Sequence, residues 1–233
     1  MPAIRRPEVL VLDVNETLSD LEPLRARFEA AGLPGHSLDL WFAATLRDGF
    51  ALTAADSYGN FRTIGGDVLR SMLVSAGLSK GLGADEATIG GVLSGFTELR
   101  VHPDVAPGLQ RLRDLGLRLV TLTNGAAAMS ERMFTEAGVL PLLEHRLDVE
   151  APGRWKPHPA AYRYAAEVCG VEVDRMALVA VHPWDIDGAR RAGLQGYYLD
   201  RRATPYPEAF LAPDLRVPDL TALADAVRTM PSR

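Results

Sequence analysis

Apolar and polar residues follow one another along this chain in blocks. Val9-Leu10-Val11-Leu12, Leu117 to Leu122 and Ala177 to Val181 are short apolar runs rich in leucine and valine, each closed by polar residues. Runs of this length fit strands buried on both faces of a parallel sheet. His145 to Val149, Gly196 to Leu199 and Leu215 to Val217 extend the same sheet as shorter strands. Between them apolar positions recur at helical spacing, over residues 104–115, a segment through Met133, Phe134 and Ala137 to Gly138, Pro159 to Val168, and Asp187 to Ala192. Strands alternating with such helices argue for βαβ units.

Residues 20 to 98 break that rhythm. Ser19 to Gly32, Leu38 to Ala55, Gly65 to Ala76 and Asp85 to Glu98 each read as helix, the last opened by the acidic pair Asp85-Glu86. Gly32-Leu33-Pro34-Gly35 closes the first, because Gly and Pro end helices. No strand alternation separates the four. A helical block placed after the first strand is an insertion, expected to lie as a lid over the crevice of the sheet. The expected organisation is a core of residues 1–19 and 99–233 with a helical cap of residues 20–98.

Charge and cysteine usage narrow the partners. A net charge of −5 offers no electrostatic footprint for nucleic acid or an anionic membrane. A small anionic substrate therefore needs a local positive site. Cys169 is the single cysteine and forms no internal disulfide, which suits a reducing cytoplasm. Asp13 interrupts the apolar run that follows Arg5 and Arg6, so no signal peptide is evident, and no stretch approaches the roughly 20 apolar residues of a membrane span.

The candidate chemistry sits at the strand ends. Asp13, Thr123-Asn124, Lys156 and Asp185 follow four of the expected strands, and a parallel sheet brings such ends to one edge. Each has a plain alternative. Asp13 caps the next helix, Thr123-Asn124-Gly125 is a tight turn, Lys156 is a solvated surface lysine, and Tyr162 is core. For Asp187 the helix cap is preferred; for Asp185, the chemical role.

The set Asp13-x-x-x-Thr17-Leu18, Thr121-Leu122-Thr123-Asn124-Gly125, Lys156-Pro157 with Tyr162, and Trp184-Asp185 before Gly188-Ala189-Arg190 resembles the haloacid dehalogenase-like hydrolase superfamily over nearly the whole length. The resemblance implies an α/β, Rossmann-like three-layer parallel sheet core with an inserted helical cap, and a covalent aspartate nucleophile. Two branches separate here. Phosphatase relatives carry a second aspartate where Asn15 stands, and Gly-Asp where Ala180 and Val181 stand, so a magnesium ion lacks carboxylate ligands. Trp184-Asp185 and the Lys156 to Tyr162 spacing resemble the 2-haloacid dehalogenase (type II) branch, which uses no metal or other cofactor.

That resemblance implies an (S)-2-haloacid dehalogenase-like reaction in which Asp13 displaces halide to form an ester that water then hydrolyses. Lys156 favours the ionised nucleophile. The substrate carboxylate is expected to meet Thr123, Asn124 and backbone N–H groups around Val14 and Asn15, with Thr17 ordering the turn and Asp185 handling water. A homodimer is implied by relatives. The alternatives are a magnesium-dependent phosphatase acting on a small ester and a non-catalytic binding member.

Departures bear on the substrate. The branch usually places a halide-receiving arginine directly after the residue matching Trp41, where this chain has Phe42. Arg47 lies five residues on, about 140° round a helix, and is either a displaced halide ligand or a surface arginine. Asn15 replaces a common aromatic, His182 an asparagine, and Ala180 a serine. His182 is a candidate halide ligand, water-positioning group or core histidine, and Trp184 both packs and faces substrate.

Overall fold

The computed structural model describes residues 4–79 and 86–231. Six parallel strands form the central sheet: β1 (Val9–Leu12), β4 (Arg118–Thr123), β5 (His145–Asp148), β6 (Met176–Ala180), β7 (Gln195–Leu199) and β8 (Leu215–Val217). Their order is β5-β4-β1-β6-β7-β8. Every residue of β1 is fully buried, as a strand flanked on both edges and covered on both faces must be. Leu12 pairs with Thr121 on one side and Val179 on the other, so β4, β1 and β6 end within two residues of one another along one edge.

Helices α5 (Val105–Asp114), α6 (Glu131–Glu136), α7 (Pro159–Cys169), α8 (Pro183–Ala192) and α9 (Leu220–Arg228) cover the sheet. Right-handed crossovers place α5 and α6 on one face and α7 and α8 on the other. α9 joins α5, which it approaches closely enough for a Cβ on Gly108 to lie 2.5 Å from that of Leu220. The chain reverses its crossover direction between β1's two neighbours. That switch point is where open α/β sheets hold ligands.

The helical insertion consists of α1 (Arg25–Ala30), α2 (Ser37–Ala54), α3 (Phe61–Ser75) and α4 (Glu86–Ser94). Its core is aromatic, with Trp41 packed among Phe28, Phe61 and Phe96 at centroid distances of 5.7–5.9 Å. It joins the sheet domain through a two-residue ribbon, β2 (Ser19–Asp20) antiparallel to β3 (Arg100–Val101).

Several expected boundaries need correction. Ser19 to Gly32 is not one helix: β2 is followed by a tight turn through Glu22–Leu24 and only then α1, because Pro23 favours a first turn over a helix interior. α8 begins at Pro183, four residues before the expected start, and α9 was not anticipated. Asp85 lies outside the described residues. Among those described, no helix is long and apolar enough to cross a membrane.

Candidate active site

Asp13 is the first residue past β1, and burial leaves it 4% exposed. Its two oxygens have different partners. Oδ1 accepts a hydrogen bond from the Lys156 ammonium at 2.8 Å, and Oδ2 accepts one from the Thr17 hydroxyl at 2.6 Å. The Thr17 oxygen in turn accepts the Val181 backbone N–H at 3.1 Å, which fixes the hydroxyl proton on Asp13 and ties the loop after β1 to the end of β6.

Lys156 has no exposed surface and bridges two carboxylates, since Asp185 Oδ2 lies 2.6 Å from Nζ. Asp185 Oδ1 accepts the Tyr162 O–H at 2.5 Å. Tyr162 reaches it because Gly188 leaves room: a Cβ there would stand 2.7 Å from the hydroxyl oxygen and 2.4 Å from Pro157. Asp185 sits in the first turn of α8, not ahead of the helix. Asp187, expected as a cap, lies inside α8, where its carboxylate accepts from Arg191 at 2.7 Å and from the Leu211 N–H at 2.9 Å.

The two carboxylates are driven in opposite directions. Burial pushes the Asp13 carboxyl up, but Lys156, His182 and the hydrogen bonds from Lys156 and Thr17 outweigh it, so Asp13 titrates below its ordinary value. For Asp185 burial prevails, assisted by the Asp13 charge and opposed by Lys156, and its carboxyl rises. The same two anions outweigh desolvation at Lys156 and keep it a cation. One carboxylate is thus held ionised and the other made more basic.

Asn124 grips the backbone of Lys156, its Oδ1 accepting the lysine N–H at 2.9 Å and its Nδ2 donating to the carbonyl at 3.0 Å. One N–H of the amide remains for a ligand. The Thr123 oxygen accepts the Gly125 N–H at 3.0 Å, leaving its O–H to donate. Among the described residues, the backbone N–H groups of Val14 and Asn15 meet no protein acceptor. Val14, Asn15, Thr123 and Gly125 line a cavity of about 20 Å³ beneath Phe61 and Phe96. Buried N–H groups ordinarily find a partner, so the cavity favours an anionic or carbonyl oxygen.

On the opposite side of Asp13 stands His182, its Nε2 3.1 Å from the Asn15 carbonyl and 3.7 Å from both Asp13 Oδ2 and Glu16 Oε2. All three neighbours are oxygens, so the Nε2 position carries a proton. The ring stacks on Trp184 at 5.1 Å and meets Phe42 at 6.2 Å. His182 and Phe42 both line a groove of about 810 Å³ between insertion and sheet domain. Trp184 also meets Phe50 edge-on at 5.0 Å.

Arg47 is not brought to this cluster. Its side chain is 71% exposed and pairs with the adjacent Asp48 at 2.8 Å. Glu16 was missed in the sequence. It adopts φ 61°, a costly region for glutamate, and presents its carboxylate to His182 and to Arg202 at 3.3 Å. No periodicity signals such a residue.

A magnesium ion does not fit this donor set. The Lys156 ammonium stands between the two carboxylates, and neutral side chains occupy positions 15, 180 and 181. Among the described residues no three His, Cys, Asp or Glu side chains converge as a metal site.

Known proteins resemble the chain in sequence and in fold. Haloacetate dehalogenase H-2 of Moraxella sp. (strain B) is 30% identical over 146 residues, 63% of this chain and 65% of that relative's length. (S)-2-haloacid dehalogenase H-109 of Pseudomonas putida is 26% identical, covering 94% of this chain and 96% of its own. A crystal structure of an L-2-haloacid dehalogenase superposes with a TM-score of 0.85 at 28% identity, covering 97% of this chain and all of that one. The model of the haloacid dehalogenase-like hydrolases matches residues 7–193, and the chain belongs to that family.

Proposed function

We propose that the chain hydrolyses the carbon–halogen bond of short 2-haloalkanoic acids to 2-hydroxy acids through an ester on Asp13, without a metal. The observation that carries this reading is the shared ammonium, 2.8 Å from Asp13 and 2.6 Å from Asp185. It holds the nucleophile ionised and leaves the second, more basic carboxylate beside the future ester.

In the first step an Asp13 oxygen attacks the halogen-bearing carbon in line. The C–O bond forms as the C–X bond breaks, and the electron pair leaves with halide. The substrate carboxylate occupies the small cavity, where the Thr123 O–H and the free N–H groups of Val14 and Asn15 are available to it; the remaining Asn124 N–H is a further donor. In the second step water attacks the ester carbonyl carbon of Asp13 while Asp185 accepts its proton, then returns that proton to the departing alkoxide. Lys156 offsets the negative charge developing in both steps. Tyr162 orients Asp185, and Thr17 orients Asp13.

His182, flanked by Phe42 and Trp184, faces the leaving-group side in place of a cap arginine. Residues 20–98 act as the cap. Relatives suggest a homodimer, the single Cys169 suits a reducing cytoplasm, and the net charge of −5 favours neither nucleic acid nor an anionic membrane as a partner. A halide-release assay across fluoro-, chloro- and bromoacetate, with and without chelator, tests the reading. Chelator-insensitive halide release supports it. Hydrolysis of a phosphate ester that chelator abolishes, with no halide released, refutes it.

A further inference from the structure

We infer that Trp155 is a positioning residue: seated in the cap, it holds the backbone of Lys156 where the ammonium meets Asp13 and Asp185. The inference rests on the role proposed above for Lys156. The loop between β5 and α7 is fastened at three consecutive residues to two different bodies. Arg154 pairs with Asp56 at 3.2 Å. Trp155, 1% exposed, enters the helical insertion. Its indole N–H donates to the Gly59 carbonyl at 2.9 Å, its backbone N–H donates to the Thr53 hydroxyl at 3.1 Å, and its ring stacks on Phe61 at 5.9 Å.

The seat exists because α2 carries glycine there. A Cβ on Gly49 would stand 2.4 Å from Cε3 and 2.5 Å from Cζ3 of the indole, closer than real Cβ atoms come. One residue further on, the Lys156 peptide is held on the sheet domain by both polar atoms of Asn124. Consecutive Cα atoms are about 3.8 Å apart, so no slack separates the cap contact from the Lys156 backbone that carries the ammonium. A displacement of α2 against the sheet is passed to Lys156. Cap placement and the charge on Asp13 are therefore one variable. The sequence holds the aromatic beside the lysine, but its partners on residues 49–61 are about a hundred positions away.

Gly49→Ala tests this without touching the reacting cluster. The added methyl expels the indole from its seat, and kcat falls on the order of 10- to 100-fold, the scale of an ångström misplacement, while KM changes little. In the free protein the Asp13 carboxyl, followed by carbon-13 NMR and assigned with Asp13→Asn, titrates at higher pH than in the parent. That readout needs no substrate, so it decides the inference even where haloacid turnover is absent. Thr53→Val removes the backbone acceptor without adding bulk, guards against a misfolded Gly49→Ala, and shifts the titration in the same direction. Cooperatively folded variants in which Asp13 titrates as in the parent would overturn it.

Discussion

Replacing Asp185 with asparagine separates the two halves of the proposed reaction. The carboxylate accepts from Lys156 at 2.6 Å and from Tyr162 at 2.5 Å, and asparagine keeps the volume. With its oxygen turned to Lys156 and its amide N–H to the Tyr162 oxygen, both contacts survive in weaker form. Lys156 retains Asp13 at 2.8 Å, so no buried charge is stranded. The fold then loses about 1 kcal/mol, the scale of one weakened hydrogen bond, and not the about 3–5 kcal/mol of a broken buried pair. Attack by Asp13 uses nothing the substitution removes. Hydrolysis of the ester loses its proton acceptor, worth about 10²- to 10⁴-fold, or about 3–5 kcal/mol of barrier. Rapid-quench measurement of halide should therefore show one equivalent per site released at the parent rate, followed by near-arrest. Intact-protein mass at that point should include the substrate's carboxyalkyl group, held as an ester on Asp13. Loss of the first turnover together with the rest, or steady release within tenfold of the parent, would refute the division of labour between the two carboxylates.

Lys156→Met leaves two buried carboxylates facing each other and should destabilise the fold by about 3–5 kcal/mol, read by urea denaturation. It should also move the acid limb of kcat/KM upward. The sign follows from Asp13, whose folded pKa lies below the ordinary 3.8, so its stabilisation is present above that pH and lost as pH falls through the folded value. Asp185 is raised above 3.8 and works oppositely, its contribution present at lower pH and lost as pH rises. His182→Ala removes the bond to the Asn15 carbonyl, about 1 kcal/mol, and should lower kcat/KM about fivefold; a change confined to stability would place His182 in the core alone. Arg47→Ala, at a solvated ion pair, should leave kcat/KM within twofold, and a larger loss would put Arg47 in the halide path.

Most of the core is legible because burial on both faces writes itself into composition: β1 and β6 are apolar at every position, and β4 at Leu119, Val120 and Leu122. The convergence of Asp13, Lys156 and Asp185 followed from strand ends sharing an edge. β2 and β3 escaped because two residues carry no periodicity. The start of α8 escaped because its first turn, Pro183-Trp184-Asp185, is set by φ at proline and by site chemistry, with no apolar stripe to mark it. Arg47 stayed ambiguous for a related reason. α2 packs against α3 on one side and meets Trp155 and His182 on others, so apolar residues surround its axis and spacing alone does not tell the inward face. The sequence marks Asn124 as a substrate donor, yet most of its amide holds the lysine peptide, a contact 32 positions distant.

The central claim is that the oxygen delivered to the first product comes from Asp13. A single turnover with enzyme in excess over chloroacetate in heavy-oxygen water tests it most directly. The account predicts an unlabelled hydroxy acid and one heavy oxygen in the peptide containing Asp13. A labelled hydroxy acid with unlabelled Asp13 would mean that water attacks the substrate carbon itself, and would contradict it.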